Sequence, residues 1–301
     1  MNNITILLTG ASGFFGKEIY KKLKKKYKIL TPNSKKLNLL NKKSISQYLK
    51  KRKIDIIINS AWIINSTVEI NRIRSDNYFK NIKMGYNLAT LSKKFLIKNF
   101  LNISSINVYK SQKKKLSEKN LLKSKLYQTN EPEGLAKLFL IKKFKKIINK
   151  ETQYKNLIFS NIYGFNKKKK NLLLIDKLFH NYYLKNKHKI IIFKKNKIKI
   201  DLIYINDAVS AVEFFLKKLI EKKLNDDFIN IGSGRGYKIN DIIKKVKGTK
   251  KTNINYVILK KNKIKNLIPS ISLAKKYGWK PQYELITGLK KTENNYKKLI
   301  K

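Results

Sequence analysis

The chain contains no cysteine and only two histidines, His180 and His188, among its 301 residues. A disulfide framework and a thiolate metal site are therefore excluded, and two imidazoles are too few for a histidine-built one. No metal is expected. Proline is equally scarce, at four residues, and no Pro- or Ser-rich linker interrupts the chain. Apolar runs nowhere approach the roughly 20 residues of a membrane span. The N-terminus enters an apolar strand at once, without a basic leader or cleavage pattern, so a cytoplasmic protein with no membrane segment is expected.

Acidic residues are also few: 18 Asp and Glu face 71 Lys and Arg, a formal charge of +53. Such a charge ordinarily suggests a nucleic-acid partner. Only four of the basic residues are arginine, however (Arg52, Arg72, Arg74 and Arg235), and Lys, Asn and Ile are inflated together, as AT-rich codons produce. Nucleic-acid readers favour arginine forks. Lysine runs such as 113–115 and 167–170 fall between patterned segments and read as solvated loops. No specific nucleic-acid partner is expected, although the field should draw in anionic ligands such as nucleotide diphosphates.

What is present is a core: 42% apolar residues, with 17 Tyr and 14 Phe. Short Ile/Leu runs alternate with helical periodicity. Strands are predicted at Ile4 to Leu8, Tyr27 to Thr31, Ile54 to Asn59, Phe100 to Ser104 and Leu157 to Ser160, with helices near Gly13 to Lys26, Ser44 to Lys53, Asn77 to Lys94 and Pro132 to Asn149. Strands this continuously apolar are buried on both faces, which predicts an α/β fold with a doubly wound parallel sheet. After Gly164 the regularity weakens. A helix from Leu172 to Tyr183, a strand near Lys189 to Phe193, a helix from Asp207 to Lys218, a strand from Phe228 to Ile231 and a helix capped by Asn240 suggest a smaller mixed α/β part. The expected division is 1–163 and 164–301, with segments near 201–231 returning to the core.

The first strand runs into Thr9-Gly10-Ala11-Ser12-Gly13-Phe14-Phe15-Gly16 and then a helix. This is the setting of a dinucleotide fingerprint: Gly10 for the tight turn, Gly13 for close approach of the pyrophosphate, and Gly16 for close helix packing. The second strand ends Leu30-Thr31-Pro32-Asn33-Ser34-Lys35-Lys36 without an acidic residue for a ribose 2′-hydroxyl, which leans toward NADP over NAD.

Together with these residues, LNLLN at 37–41, DIIINSAW from Asp55, Asn81, NISSINVY from Asn102, NIYG from Asn161, DLIYIND from Asp201, FINIGSGRG from Phe228 and KKYGWKP from Lys275 resemble the NAD-dependent epimerase/dehydratase family, the extended short-chain dehydrogenase/reductases. Within it, residues 116–137 are most similar to the GDP-fucose synthases and related 4-keto-sugar reductases. The resemblance implies a Rossmann domain and a nucleotide-sugar substrate. It places the cofactor against Gly10, Ser12, Gly13, Phe14, Phe15, Gly16, Asn38, Leu39, Ser60, Ala61, Lys137, Asn161 and Ile162. The substrate is placed against Ser105, Asn161, Lys199 and Arg235. A homodimer through paired helices is implied as well.

In this family a tyrosine exchanges a proton with the sugar while hydride moves to or from the nicotinamide, a lysine four residues later supports it, and a serine positions the reacting oxygen. Ser105 and Lys137 match the serine and lysine. The tyrosine position is Glu133, and the frame Pro132-Glu133-Gly134-Leu135-Ala136-Lys137 admits no shift. Opposite charge on Lys137 favours the carboxylate form of Glu133, a poor proton donor, whereas burial would favour the acid. Asn107 replaces a cysteine of the fucose synthases, Ile200 replaces the arginine before Asp201, and the loop after Gly164 supplies no histidine at their second proton-donor position. The two-step epimerase-reductase reaction is therefore not expected. An enzyme in which Glu133 or a water moves the proton, and a cofactor- or sugar-binding protein that has lost turnover, both fit the residues. Tyr109, Tyr127 and His180 read as packing residues.

Overall fold

The computed structural model describes residues 4–63, 72–109, 114–123, 132–147, 152–167, 174–184, 189–193, 199–247, 255–259 and 266–299. In chain order the elements begin β1 (Thr5–Thr9), α1 (Phe14–Leu23), β2 (Lys28–Leu30), α2 (Lys42–Lys50), β3 (Ile56–Asn59), α3 (Arg72–Lys94), β4 (Asn99–Ser105), α4 (Pro132–Ile147) and β5 (Gln153–Phe159). They continue with β6 (Asn161–Tyr163), α5 (Leu174–Leu184), β7 (Lys189–Phe193), β8 (Lys199–Ile200), β9 (Leu202–Tyr204), α6 (Ile205–Ile220), β10 (Phe228–Ile231), β11 (Tyr237–Lys238), α7 (Ile239–Lys247), β12 (Asn255–Leu259), α8 (Ser272–Lys276) and α9 (Leu285–Lys297).

Two compact units result: 1–110, 118–159 and 209–230 form the first, and 111–117, 160–208 and 231–301 the second. The first is built on a six-stranded sheet of order β10-β5-β4-β3-β1-β2, in which β2, β1, β3, β4 and β5 pair in parallel. The apolar runs explain the burial, since Ile6, Leu7, Leu8, Ile57 and Ile58 are all fully enclosed. On one face Leu7, Ile57 and Phe100 join Leu88 of α3 and Leu140 and Phe144 of α4 in a continuous core. Gly85 lets α3 and α4 close on each other; a Cβ there would stand 2.6 Å from Leu140 Cδ1. In the second unit β6 pairs in parallel with β9, β7 in parallel with β12, and β8 antiparallel with β11.

Several boundaries differ from the sequence expectation. β5 begins at Gln153 rather than Leu157, because Tyr154, Lys155 and Asn156 pair in register with Phe100, Leu101 and Asn102 despite their polar atoms. α3 starts at Arg72, five residues before the expected Asn77. Asn240 does not cap α7 but sits inside it as its second residue. α9, whose sequence alternates polar and apolar residues without a strong stripe, was not anticipated. It is held by Tyr296, fully buried among Phe165 and Phe179, and by Gly288, which passes so close to Tyr163 that a Cβ would meet its hydroxyl at 2.0 Å.

The apolar reading of the strands also hid a polar row. Thr9, Asn59, Asn102 and Asn156 are in-register neighbours across β1, β3, β4 and β5. Their side chains form a buried chain: Thr9 Oγ1 donates to Asn59 Oδ1 (2.7 Å), Asn59 Nδ2 to Asn102 Oδ1 (3.0 Å), Asn102 Nδ2 to Asn156 Oδ1 (3.0 Å), and Asn156 Nδ2 to the Asp227 carbonyl (3.4 Å). Inside a protein a satisfied network rigidifies, and a half-satisfied one is costly. Asn102→Leu would strand one donor on Asn59 and one acceptor on Asn156, and is expected to lower stability by about 2–6 kcal/mol, at about 1–3 kcal/mol for each orphaned group. Denaturant unfolding should show a lower midpoint with an unchanged slope; an unchanged midpoint would mean that the row contributes nothing.

Candidate active site

β1 has β2 on one side and β3 on the other, so the order of the sheet reverses at β1, and the crevice at the carboxyl ends of β1 and β3 is where α/β sheets of this type bind ligands. The glycine turn lies there. Gly10 has φ of +72°, and a Cβ on it would stand 2.5 Å from the Ser60 carbonyl oxygen and 2.6 Å from the Ala61 nitrogen. Gly16 lies so close to the turn that its Cβ would meet the Gly10 oxygen at 2.2 Å, while Gly13 N donates to that oxygen at 2.9 Å. Gly13 is the N-cap of α1, with no side-chain cap and no acidic residue in the first turn. The orphan N–H groups and the positive end of the dipole are therefore left for an anion, and the residues present fit a dinucleotide pyrophosphate. Ser12 and Gly13 are exposed, Phe14 is half-buried, and Phe15 packs edge-on against Phe159 at 5.0 Å.

Two asparagines of α3 hold the neighbouring loops. Asn81 grips both polar atoms of Ile63, accepting from its N–H at 2.8 Å and donating to its carbonyl at 3.0 Å. This pins the segment that leaves β3 through Ser60 and Ala61. Asn87 donates to the carbonyls of Leu39 and Leu40, and Asn38 accepts from Leu40 N–H at 3.0 Å. Leu39 is buried and Asn38 exposed. Asn81 was legible by resemblance; Asn87 was missed, and its partners are backbone atoms that no motif reveals.

Ser105 ends β4 and is half-buried; its Oγ accepts from Asn107 N–H at 3.4 Å. The start of α4 presses on this turn, since a Cβ on Gly134 would meet the Asn107 carbonyl oxygen at 2.2 Å. That close approach brings Glu133 and Lys137, both half-buried and one helical turn apart, beside the Ser105 to Asn107 segment. Burial pushes the Lys137 ammonium below the ordinary lysine range, and the Glu133 charge acts against that shift. The ammonium sits over the Trp62 ring, 3.9 Å from its centroid. Trp62 was not singled out from the sequence, although an aromatic directly after Ser60-Ala61 was the available signal.

Tyr109 is a packing residue as expected: it is buried, its hydroxyl donates to Asn230 Oδ1 at 2.9 Å, and burial drives its pKa upward, away from any proton-transfer range. His180 is buried in α5. Tyr127 lies outside the described residues.

The second unit carries the remaining candidates. Asn161 donates through Nδ2 to the Asp201 carbonyl at 3.0 Å, and Ile162 is half-buried on β6. The Asp201 carboxylate, fully buried, accepts from Ser233 N–H (2.9 Å), Ser233 Oγ (3.0 Å) and Arg235 N–H (3.0 Å), and so shapes the loop that presents Arg235. Burial raises the Asp201 carboxyl above its ordinary value, opposed by the donors of Ser233. The Arg235 guanidinium is exposed and pairs with Glu284 at 2.9 Å. Lys199 is exposed on β8.

The doubly wound sheet and the uncapped glycine turn at its switch point define a dinucleotide-binding α/β protein. Residues 6–232 match the model of the NAD dependent epimerase/dehydratase family, and the chain belongs to that family. A GDP-L-colitose synthase of Yersinia pseudotuberculosis is 31% identical over 301 residues, covering 95% of this chain and 96% of the relative. Among solved structures, a GDP-6-OMe-4-keto-L-xylo-heptose reductase from C. jejuni superposes with a TM-score of 0.85 at 18% identity over 99% of each chain. A GDP-mannoheptose C4 reductase from Campylobacter jejuni with NADP bound does so with 0.81, at 18% identity and 99% of each chain.

Gly16→Ala tests the close packing of α1 on the turn. The added methyl has no room against the Gly10 carbonyl, so a loss of about 1–3 kcal/mol is expected, the usual cost of overpacking. A thermal melt and a titration with NADPH and NADH should report lower stability and at least tenfold weaker binding of whichever dinucleotide the parent binds; unchanged values in both would contradict the packing described.

Proposed function

We propose that this protein is an NAD(P)-dependent enzyme acting on a nucleotide-activated sugar, with residues 1–163 holding the dinucleotide and 164–301 supplying most of the sugar-nucleotide contacts. The observation that carries this reading is the uncapped glycine cradle at the N-terminus of α1 in the same unit as Ser105, Glu133 and Lys137. The relatives named as GDP-L-colitose and GDP-L-fucose synthases favour a GDP-linked keto sugar as the substrate class. NADP is preferred over NAD in this proposal, because the loop after β2 has no carboxylate to hold a 2′-hydroxyl and exposes Lys35 and Lys36.

The nicotinamide, when bound, supplies or accepts the hydride. Ser105 Oγ donates a hydrogen bond to the sugar oxygen that gains or loses the proton. In this proposal Glu133, in the first turn of α4, moves that proton, directly or through one water. Lys137 supplies a positive charge beside Glu133 and holds the ribose. Asn161, Lys199 and Arg235 are the proposed contacts to the nucleotide sugar. A homodimer joined through α3 and α4 is proposed as well; Phe79 and Tyr86 stand exposed seven residues apart on α3.

The test is a titration with NADPH and NADH at moderate salt, followed by GDP-linked 4-keto sugars with the nicotinamide absorbance as readout. Binding with turnover supports the proposal. Binding without turnover favours a protein that has kept the site and lost the chemistry, and absence of binding overturns the reading. Glu133→Gln is expected to lower turnover by about 100-fold or more, the scale of general acid–base catalysis, with cofactor affinity unchanged within about twofold. A Glu133→Gln variant of full activity would remove Glu133 from the mechanism.

A further inference from the structure

We infer that Trp62 is a positioning residue, whose indole face holds the Lys137 ammonium in place for a bound dinucleotide. The inference rests on the proposal that Lys137 serves a cofactor, and it adds a residue that neither the glycine turn nor the serine–lysine pattern includes.

The geometry is direct: Lys137 Nζ lies 3.9 Å from the centroid of the Trp62 ring. A lysine side chain has a flexible four-carbon stem, and ordering it costs rotamer freedom. Lys137 must also bear the loss of hydration that comes with burial, against which Glu133 on the same helix acts. A π face from a different element answers both demands, since cation–π attraction strengthens as water is removed.

Trp62 is itself held from both sides. Upstream, Ser60 and Ala61 run against Gly10 so closely that no side chain fits on that glycine. Downstream, both polar atoms of Ile63 are clamped by Asn81 at 2.8 and 3.0 Å. The ring also packs on the core cluster that includes Leu7, Ile57 and Phe100. The ammonium is thus tied through Trp62 to the glycine turn, so the two ends of the dinucleotide site share one mechanical frame. Glu133, on α4, is the charged group that acts on Lys137, and Trp62, on the segment after β3, is the aromatic one.

The experiment begins with the cofactor-free protein. The chain has two tryptophans, Trp62 and Trp279, so Trp279→Phe leaves Trp62 as the sole indole. Its emission, followed from about pH 7 to about pH 11, the range in which lysines titrate, should show a step below the ordinary lysine value. That step should vanish in Trp279→Phe/Lys137→Met. A step of the same size in both proteins, or in neither, overturns the contact. NADPH affinity is then compared across Trp62→Leu and Trp62→Phe. Leucine is expected to weaken binding on the order of tenfold, and phenylalanine, which keeps a π face, by less than about threefold.

Equal affinity for Trp62→Leu and the parent overturns the positioning role, and an equal loss for both variants assigns Trp62 to packing alone, which overturns it too. If the parent binds neither NADPH nor NADH, the cofactor reading fails and the positioning role falls with it. The emission step then still decides whether Trp62 holds Lys137.

Discussion

The rest of the molecule depends on how the carboxyl ends of the parallel strands are aligned, and the buried row Thr9, Asn59, Asn102 and Asn156 is what aligns them. Strands of nearly uniform Ile and Leu carry little register information, because sliding one strand along another exchanges one apolar side chain for the next. A slip of one residue would send every asparagine to the opposite face and leave its amide unpaired in the core. Three of the four also precede a candidate site residue: Thr9 leads into Gly10, Asn59 into Ser60, and Asn102 lies three residues before Ser105. Register and site geometry are therefore one constraint.

Close backbone approach then fixes the parts that the row does not reach. Gly10 against Ser60 and Ala61, Gly16 against Gly10, and Gly134 against Asn107 are three places where a single methyl would not fit. They tie β1 to β3, α1 to the turn, and α4 to the end of β4. Side-chain amides complete the frame by bonding backbone rather than one another, as Asn81 and Asn87 do for the loops after β3 and β2.

In a chain so rich in lysine, three of the scarce carboxylates hold backbone far away in sequence. Asp201 gathers three donors from the loop at 233–235, and Asp207 accepts from the backbone of Gln282 and Tyr283 ahead of α9. Glu118 accepts from Asn230 N–H near the end of β10. These acids are satisfied mainly by N–H and O–H groups, not by the surrounding lysines, whose charge stays in solvent where pairing is worth little. The exception at the site is Lys137, which gives up hydration to sit between a carboxylate-bearing helix turn and an indole.

The doubly wound sheet was legible in the sequence because buried parallel strands must be apolar on both faces. The glycine turn was legible because its three glycines recur at a fixed short spacing between a strand and a helix, and the close approach of Gly16 to Gly10 is local. Ser105, Glu133 and Lys137 could be singled out only through the resemblance to the family's motifs. The asparagine row, the clamp of Asn81 on Ile63 and the stacking of Lys137 on Trp62 could not, since each joins residues separated by 18 to 75 positions. Asn59 and Asn102 read in isolation as polar interruptions of apolar strands, and α9 was not anticipated because what holds it, its Tyr296 against Phe165 and Phe179 and its Gly288 against Tyr163, lies far away in sequence. Sequence by itself determined which segments are buried and where an anion can meet a helix end, because those follow from local periodicity and local sterics. Only the tertiary structure decided which polar groups meet across the sheet and what holds the lysine, because the partner of a buried donor is set by register and not by its neighbours along the chain.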